Sequence, residues 1–284
     1  RSESGESPVF HRAVMGRKGI GKLSLFSIAN IVEVYSKKGG ELNGFKIDTN
    51  SLKEAIKNND TYYPVELTAN DIEFNGNGTK IVLSDLKKKR TATLATHLRQ
   101  RLSRRFAVIG TKNNFKVSIN SEEISISDRN YLSKAQCVWM FLPENGADDY
   151  REDLKSQTKS EKIKLIKELP STVTVGENSY RITGWIATCS EPKELDDDEN
   201  LNRIVIMVRG KMAKEDIFSE IGTTALYSKY VFGELSADFL DLDDEADITT
   251  SSRQDFFEDD ERYIVLKEFI KKSLSSVRND WEEI

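Results

Sequence analysis

Cysteine and long apolar runs are both scarce in this 284-residue sequence. Its two cysteines, Cys137 and Cys189, have neither the paired spacing of a disulfide framework nor metal-binding or nucleophilic partners around them. This pattern excludes a small disulfide-held domain and is typical of reduced core cysteines in a cytosolic protein. No apolar run approaches the roughly 18 residues that a membrane-spanning helix needs, and residues 1–8 are unlike a signal peptide. We therefore expect a cytoplasmic protein without a membrane partner.

The sequence also lacks a net positive charge, because 47 acidic residues outnumber 42 basic ones and leave a formal charge of −5. The net charge of the chain therefore gives no indication of a nucleic-acid partner, and any contact with nucleic acid has to be made by a local basic segment. The length suits two domains, each able to bury a core of its own. We place these domains at residues 1–128 and 129–284.

What the sequence does contain is a glycine-rich, basic loop that leads into an apolar helix. Its glycines can adopt positive φ, so that successive backbone N–H groups converge on an anion. The helix N-terminus that follows adds unpaired donors and a partial positive charge. The pattern predicts a phosphate-binding loop made of Gly16, Arg17, Lys18, Gly19, Ile20, Gly21 and Lys22.

Two kinds of phosphate loop and one structural interpretation fit this stretch. Gly16, Gly21 and Lys22 follow the P-loop pattern G-x-x-x-x-G-K-[ST], but Leu23 replaces the hydroxyl that would bind Mg²⁺. The shorter pattern G-x-x-G-x-G fits at every position. The third interpretation is a glycine turn that caps a helix and binds nothing.

Hydrophobic patterns after the loop predict an α+β fold. An antiparallel meander is expected at 31–35, 45–48, 62–67 and 79–83. Because these strands do not alternate with crossover helices, the order argues against a doubly wound P-loop fold. The second half is expected to hold strands at 173–175, 180–188, 204–209 and 231–239, a short helix at 212–221 and a long amphipathic helix at the end.

Residues 86–105 contain eight lysines and arginines and no acid. Leu94, Leu98, Leu102 and Phe106 repeat every four residues, which predicts a helix with an apolar core-facing side. Three arginines, Arg99, Arg101 and Arg105, are then expected to be at least partly exposed. This basic side has two interpretations, a solvated face or a contact with the phosphate backbone of DNA.

Three stretches, in order, resemble the GHKL superfamily of ATPases, which includes gyrase-type topoisomerases, heat-shock chaperones, histidine kinases and MutL-type repair proteins. Residues 16–23 resemble its phosphate loop, residues 78–83 its later Gly-Thr strand, and residues 238–254 the acidic loop and Ser-Arg motif of the chaperone middle domain. The resemblance implies an incomplete Bergerat-type α/β sandwich with an antiparallel or mixed sheet, followed by an α+β transducer domain. It also implies that Thr79 lines the adenine pocket and that Arg253 contacts the γ-phosphate, with Lys211 as a second candidate.

One departure from that family is large. Its catalytic glutamate, its magnesium-binding asparagine and its D-x-G-x-G turn all precede the phosphate loop, and this sequence has no equivalent downstream. We therefore expect a fragment, inactive alone, of a protein that uses ATP and Mg²⁺, dimerises on binding nucleotide and acts on a partner or on DNA in maintenance or defence. The alternative is a non-catalytic scaffold or dimerisation module that binds protein or DNA.

Overall fold

The computed structural model describes residues 9–11, 20–68, 76–87, 94–110, 114–196, 200–221, 226–249 and 255–284. The chain folds into two compact units, which we call the small unit, Gly16–Leu94, and the large unit, Arg1–Met15 with Ala95–Ile284. Helices and strands are mixed in both, which confirms the α+β class. No helix in the described ranges is long and apolar enough to cross a bilayer.

The boundary between the two units lies at Leu94, before the domain boundary predicted after residue 128. Residues following Leu94 join the large unit because they pair with it directly. Phe106 forms a β-bridge with Lys211, and the Ala107 N–H donates to the Gly210 carbonyl at 2.8 Å. The division into functional domains at 1–128 and 129–284 stays a prediction.

The small unit is a four-stranded antiparallel sheet in the order β3-β2-β1-β4. The β1–β2 turn needs Gly39 and Gly40, whose φ values are 60° and 91°. Helix α2 begins where the Asp48 carboxylate accepts the N–H groups of the residues that follow it. The elements are α1 (Leu25–Ile28), β1 (Ala29–Lys38), β2 (Glu41–Asp48), α2 (Thr49–Asn58), β3 (Val65–Leu67) and β4 (Gly78–Leu86).

The large unit is built on a six-stranded mixed sheet in the order β13-β12-β14-β11-β7-β8. Its strands are β7 (Ala135–Phe141), β8 (Leu165–Glu168), β11 (Thr183–Cys189), β12 (Ile204–Val208), β13 (Lys211–Lys214) and β14 (Val231–Ser236). Two hairpins, β5 (Ser118–Ile119) with β6 (Glu122–Glu123) and β9 (Thr172–Val175) with β10 (Asn178–Arg181), stand apart from it. The helices are α3 (Leu94–Arg105), α4 (Ala147–Gln157), α5 (Phe218–Ile221) and α6 (Glu261–Glu282).

Both faces of this sheet are covered, which is why its central strands are apolar without interruption. Along β7, Trp139 and Phe141 enter the core on one face, while Val138 and Met140 enter the core on the other. Helix α6 covers the first face with a stripe of buried residues spaced three and four apart. The stripe is Tyr263, Leu266, Ile270, Leu274 and Val277, none more than 1% exposed.

The helix predicted at 212–221 was wrong. Residues 211–214 form β13, in which half-buried and buried side chains alternate, and only Phe218–Ile221 is helical. The alternation has period two, as expected of a strand, whose successive side chains point to opposite faces of the sheet.

Gly184 gives a test of how tightly β11 and β14 pack. Its φ is +133°, and a Cβ there would lie 2.1 Å from the Glu234 carbonyl oxygen. We expect Gly184→Ala to destabilise the large unit by about 2–5 kcal/mol through strain and overpacking. Gly176→Ala is the control, because Gly176 also has positive φ, +57°, but no atom within 4 Å, and it should cost about 1–2 kcal/mol.

The measurement is chemical denaturation followed by tryptophan fluorescence. All three tryptophans, Trp139, Trp185 and Trp281, lie in the large unit, so their emission reports on that unit. Equal losses of stability in the two glycine variants would show that the close strand contact is not as described.

Asp280 gives a pH-dependent test of how α6 is fixed to the sheet. Its carboxylate accepts from Trp139 Nε1 and from Lys167 Nζ, both at 2.7 Å. Burial alone would raise the pKa of Asp280, but these two donors outweigh it and hold the pKa below its ordinary value of 3.8. A lowered pKa stabilises the fold above the ordinary value, and this stabilisation is lost as pH falls through the native pKa. Below pH 4 the wild type should therefore lose stability more steeply than Asp280→Asn, as judged by denaturant titrations at successive pH values. If the stability of the two proteins changed with pH in parallel, this role of Asp280 would be contradicted.

Candidate nucleic-acid interface

Helix α3 is rotated relative to the orientation that its leucine spacing predicts. Its most buried residues are Ser103 and Arg104, at 2% and 3% exposure, while Leu98 is 39% exposed. Leu102 and Phe106 are half-buried, and the side chain of Leu94 lies outside the described residues. The prediction that a leucine stripe faces the core was therefore wrong for Leu98. The buried position on this helix is taken by Arg104 instead.

Arg104 is buried with its guanidinium group against protein partners. Its Nε donates to the Arg129 carbonyl at 3.0 Å, and its guanidinium carbon lies 5.9 Å from the centre of the Tyr131 ring. Arginine stems pack like apolar chains, and a cation over an aromatic face is stabilised by the ring quadrupole. Spacing of leucines alone does not reveal this contact.

Beneath α3 lies a buried ion pair between Arg129 and Glu234. Arg129 Nη1 is 3.1 Å from Glu234 Oε1, and the two side chains are only 13% and 12% exposed. Arg129 Nε donates to the Ser103 carbonyl at 3.0 Å, and the Tyr131 hydroxyl donates to the second oxygen of Glu234. The network therefore joins α3, the 125–131 segment and β14.

The electrostatics of this network keep Arg129 charged and Tyr131 neutral. Burial alone would lower the pKa of Arg129, but the Glu234 carboxylate, together with Tyr131 and Tyr150, outweighs burial and raises that pKa. Burial, together with the same carboxylate, raises the pKa of Tyr131 well above its ordinary value. Arg129 is therefore charged and Tyr131 is a neutral donor, as a satisfied buried ion pair requires.

Arg99 is held by the protein rather than presented to solvent. Its Nη2 donates to the Glu123 carbonyl at 2.7 Å, and its Nη1 lies 3.2 Å from both the carbonyl and the carboxylate of Glu122. Asp128 adds a second ion pair at 3.4 Å, and the Arg99 side chain is 19% exposed. Arg99 thus fixes the β5–β6 hairpin to α3.

The other two arginines of the predicted contact lie on the outer side of α3. Arg101 is exposed. The Arg105 side chain is 41% exposed and makes a loose ion pair with Glu215 at 3.5 Å. Since Arg101 and Arg105 are four residues apart, they lie on the same side of the helix. The structure therefore separates Arg99 from Arg101 and Arg105, and a nucleic-acid contact by these residues stays a prediction.

Much of the predicted phosphate loop, Gly16, Arg17, Lys18 and Gly19, lies outside the described residues. Ile20, Gly21 and Lys22 belong to a 3₁₀ turn, Ile20–Ser24, in which Ser24 Oγ donates to the Gly21 carbonyl at 2.6 Å. Gly21 and Lys22 are exposed. Thr79 is exposed on β4, directly opposite Ser36 of β1.

In the large unit, Lys211 is the half-buried first residue of β13, and Arg253 lies outside the described residues. The acidic segment that preceded the Ser-Arg motif has a structural role at Arg209. The Asp238 carboxylate accepts the Arg209 N–H at 2.7 Å, and Asp243 pairs with the Arg209 guanidinium at 2.9 Å. These contacts hold the β12–β13 turn, where Arg209 adopts φ 51°.

The described ranges contain no group of three or more histidine, cysteine, aspartate or glutamate side chains that could hold a metal ion. The two cysteines are buried in different cores, Cys137 on one face of the sheet and Cys189 on the other. Burial raises the pKa of the Cys189 thiol to about 11, so it is a packed side chain rather than a reactive thiolate.

No family model matches this chain. It is similar to a protein of Herpetosiphon aurantiacus named "Putative type II restriction enzyme HgiDII", with 36% identity over 277 residues. The alignment covers 98% of this chain and 43% of that protein. The chain thus spans less than half the length of the curated relative that it matches.

This similarity overturns the predicted GHKL-type ATPase. It extends over nearly the whole chain, whereas the GHKL resemblance rested on three short stretches of glycine, threonine and arginine. Such stretches also occur as turns, edge strands and structural ion pairs. The Bergerat-type sandwich, the histidine-kinase-like, MutL-like and chaperone-like assignments, and the nucleotide-driven cycle were therefore wrong, and ATP as a ligand is not supported.

The buried pair under α3 predicts a large loss of stability when one partner is removed. Glu234→Ala leaves the Arg129 charge buried without its carboxylate, which should cost about 3–5 kcal/mol. Glu282→Ala is the matched control, because its pair with Arg278 is exposed, at 52% for each side chain, and an exposed pair contributes little to stability. Denaturation monitored by tryptophan fluorescence gives both values, and similar small losses would contradict the structural role of the network.

Proposed function

We propose that this chain is a DNA-contacting, non-cleaving part of a restriction-type protein. The proposal is supported by the similarity to the Herpetosiphon restriction enzyme, which covers 98% of this chain but only 43% of that protein. Similarity of this extent supports a shared role for the matched region. DNA is therefore the partner that we assign to this chain.

The observation that carries the contact is the sorting of arginines on α3. Of its four arginines, Arg104 is buried and Arg99 is only 19% exposed, whereas Arg101 is exposed and the Arg105 side chain is 41% exposed on the outer side. Exposed arginines on one side of a helix suit the phosphate backbone, which positions a protein on DNA without reading its sequence. We assign a phosphate contact to Arg101 and Arg105 and a structural role to Arg99.

The distribution of charge between the two units supports a DNA contact that is confined to a small part of the surface. The small unit, Gly16–Leu94, carries 13 basic and 9 acidic residues, although the whole chain has a charge of −5. The large unit is therefore strongly acidic overall, and a duplex would be repelled from most of its surface. The outer side of α3 is a local exception.

Cleavage is assigned to no residue of this chain. Nucleases commonly use Mg²⁺ ions held by carboxylates to activate water and to stabilise the leaving oxygen. The side chains in the described ranges form no cluster of three or more possible metal ligands, so we assign no magnesium ligand to a residue of these ranges.

A salt titration of duplex binding tests the phosphate contact. We expect Arg101→Gln/Arg105→Gln to weaken binding by the full chain and to reduce the slope of log K against log salt by about 2, because two phosphate contacts are lost. The control is Lys271→Gln/Lys272→Gln, which removes the same charge from exposed positions on α6. No duplex binding at low salt, or equal binding by both variants, would overturn the proposal.

A further inference from the structure

The sheet of the small unit has two unlike edges. The β3 edge is three residues long and directly follows Pro64, which cannot donate a hydrogen bond. The β4 edge is nine residues long and contains no proline. Natural sheets protect their edges by short strands, prolines or covering segments, because an open edge pairs with other strands. The outer edge of β4 has no strand paired to it within the described ranges.

The edges of the sheet in the large unit are protected. Its sheet ends in β8 and β13, which are four residues each. The β13 edge is further covered by the β-bridge between Lys211 and Phe106. Among the described sheet edges, β4 is therefore the long, uncovered one.

An apolar row leads across the sheet to this edge. Strand register places Phe45, Val34 and Ile81 side by side on one face, from β2 through β1 to β4. Phe45 is 40% exposed and Ile81 is 49% exposed. The row thus ends in an exposed isoleucine beside a strand edge to which no described strand is paired, and such an edge is a surface suited to another β-strand.

We propose that β4 pairs antiparallel with β4 of a second copy of this chain, about a two-fold axis through Val82. Val82 is the midpoint of β4, so this register gives the greatest overlap. It places Ile81 opposite Leu83 of the second copy, on the face of the apolar row. Since Leu83 pairs with Val32 and Val32 with Ile47, the row continues through apolar residues across both sheets.

Charges and backbone geometry also fit this register. Lys80 lies opposite Ser84 of the second copy, and Thr79 lies opposite Asp85, so no like charges face each other. Asp85 adopts φ 51° and is held by Asn30 at 2.8 Å, which ends the regular strand. The regular part, 80–84, is symmetric about Val82.

Neighbouring registers fit less well. A shift of the axis by one residue, to Leu83, would set Asp85 opposite the exposed Ile81. A shift of the axis to Ile81 would leave the last two residues of β4 unpaired. A register that pairs odd-numbered with even-numbered residues would bring the apolar row of one copy beside the opposite face of the second copy's sheet.

The first test is the oligomeric state of the full chain, measured by sedimentation velocity over a concentration series. We expect a dimer whose dissociation constant rises at least about tenfold in Ile81→Lys, because a lysine would face an apolar partner. Ile56→Lys is the matched control, since Ile56 is 69% exposed on α2, away from the edge. A monomer at all concentrations, or equal effects of the two variants, would overturn the proposal.

The second test fixes the register. Val82→Cys would place two cysteines directly opposite each other, at the Cα spacing of about 4.5–5.5 Å that a disulfide bridges. Mild oxidation should therefore give a covalent dimer. Lys80→Cys should not, because the two introduced cysteines would lie four residues apart along the strands, about 13 Å. Equal cross-linking of both variants would overturn the register. Neither test depends on DNA binding.

Discussion

The buried Arg129–Glu234 ion pair is the constraint on which the candidate interface depends. Removing two charges from water costs several kcal/mol for each ion, and only close, well-satisfied geometry offsets that cost. Here the geometry requires Tyr131 to donate to the carboxylate and the Ser103 carbonyl to accept from Arg129. The end of α3 therefore has to lie over the 125–131 segment. The position of the helix follows from the network rather than from its leucines.

This constraint decides which arginines can meet a partner. With Ser103 and Arg104 turned inward, Arg99 comes beside Asp128 and Glu122 and is satisfied by them. The opposite side of α3 carries Arg101 and Arg105. A basic segment that looks uniform in sequence is thus divided by the fold into structural arginines and outward-facing ones. The proposed DNA contact through α3 is narrow for this reason.

Sequence patterns predicted the helices and strands that are stabilised mainly by the burial of one apolar face. The stripe from Leu266 to Val277 predicted α6, because apolar residues spaced three and four apart are the pattern of a helix that packs one face against a core. The strands around Val82 and Ile186 were likewise apparent from β-branched, alternating residues. Such patterns depend on local spacing, which the sequence shows directly.

The orientation of α3 could not be predicted in this way, because it depends on a contact between Arg104 and Tyr131 and on a pair between residues 105 positions apart. The ATPase assignment failed for a related reason. Its motifs are short, and a glycine turn at Gly21 or a Gly-Thr strand at Thr79 forms for purely structural reasons. A catalytic function could not be inferred from these motifs, because the other residues that the ATPase site requires are not in the sequence.

The most direct test of the central claim is a single assay of binding and cleavage. The full chain is incubated at low salt with supercoiled plasmid and Mg²⁺, and the products are separated before and after removal of the protein. The account predicts retarded plasmid that returns to the supercoiled form once the protein is removed. Conversion to nicked or linear DNA by the purified chain, or no retardation at any concentration, would contradict it.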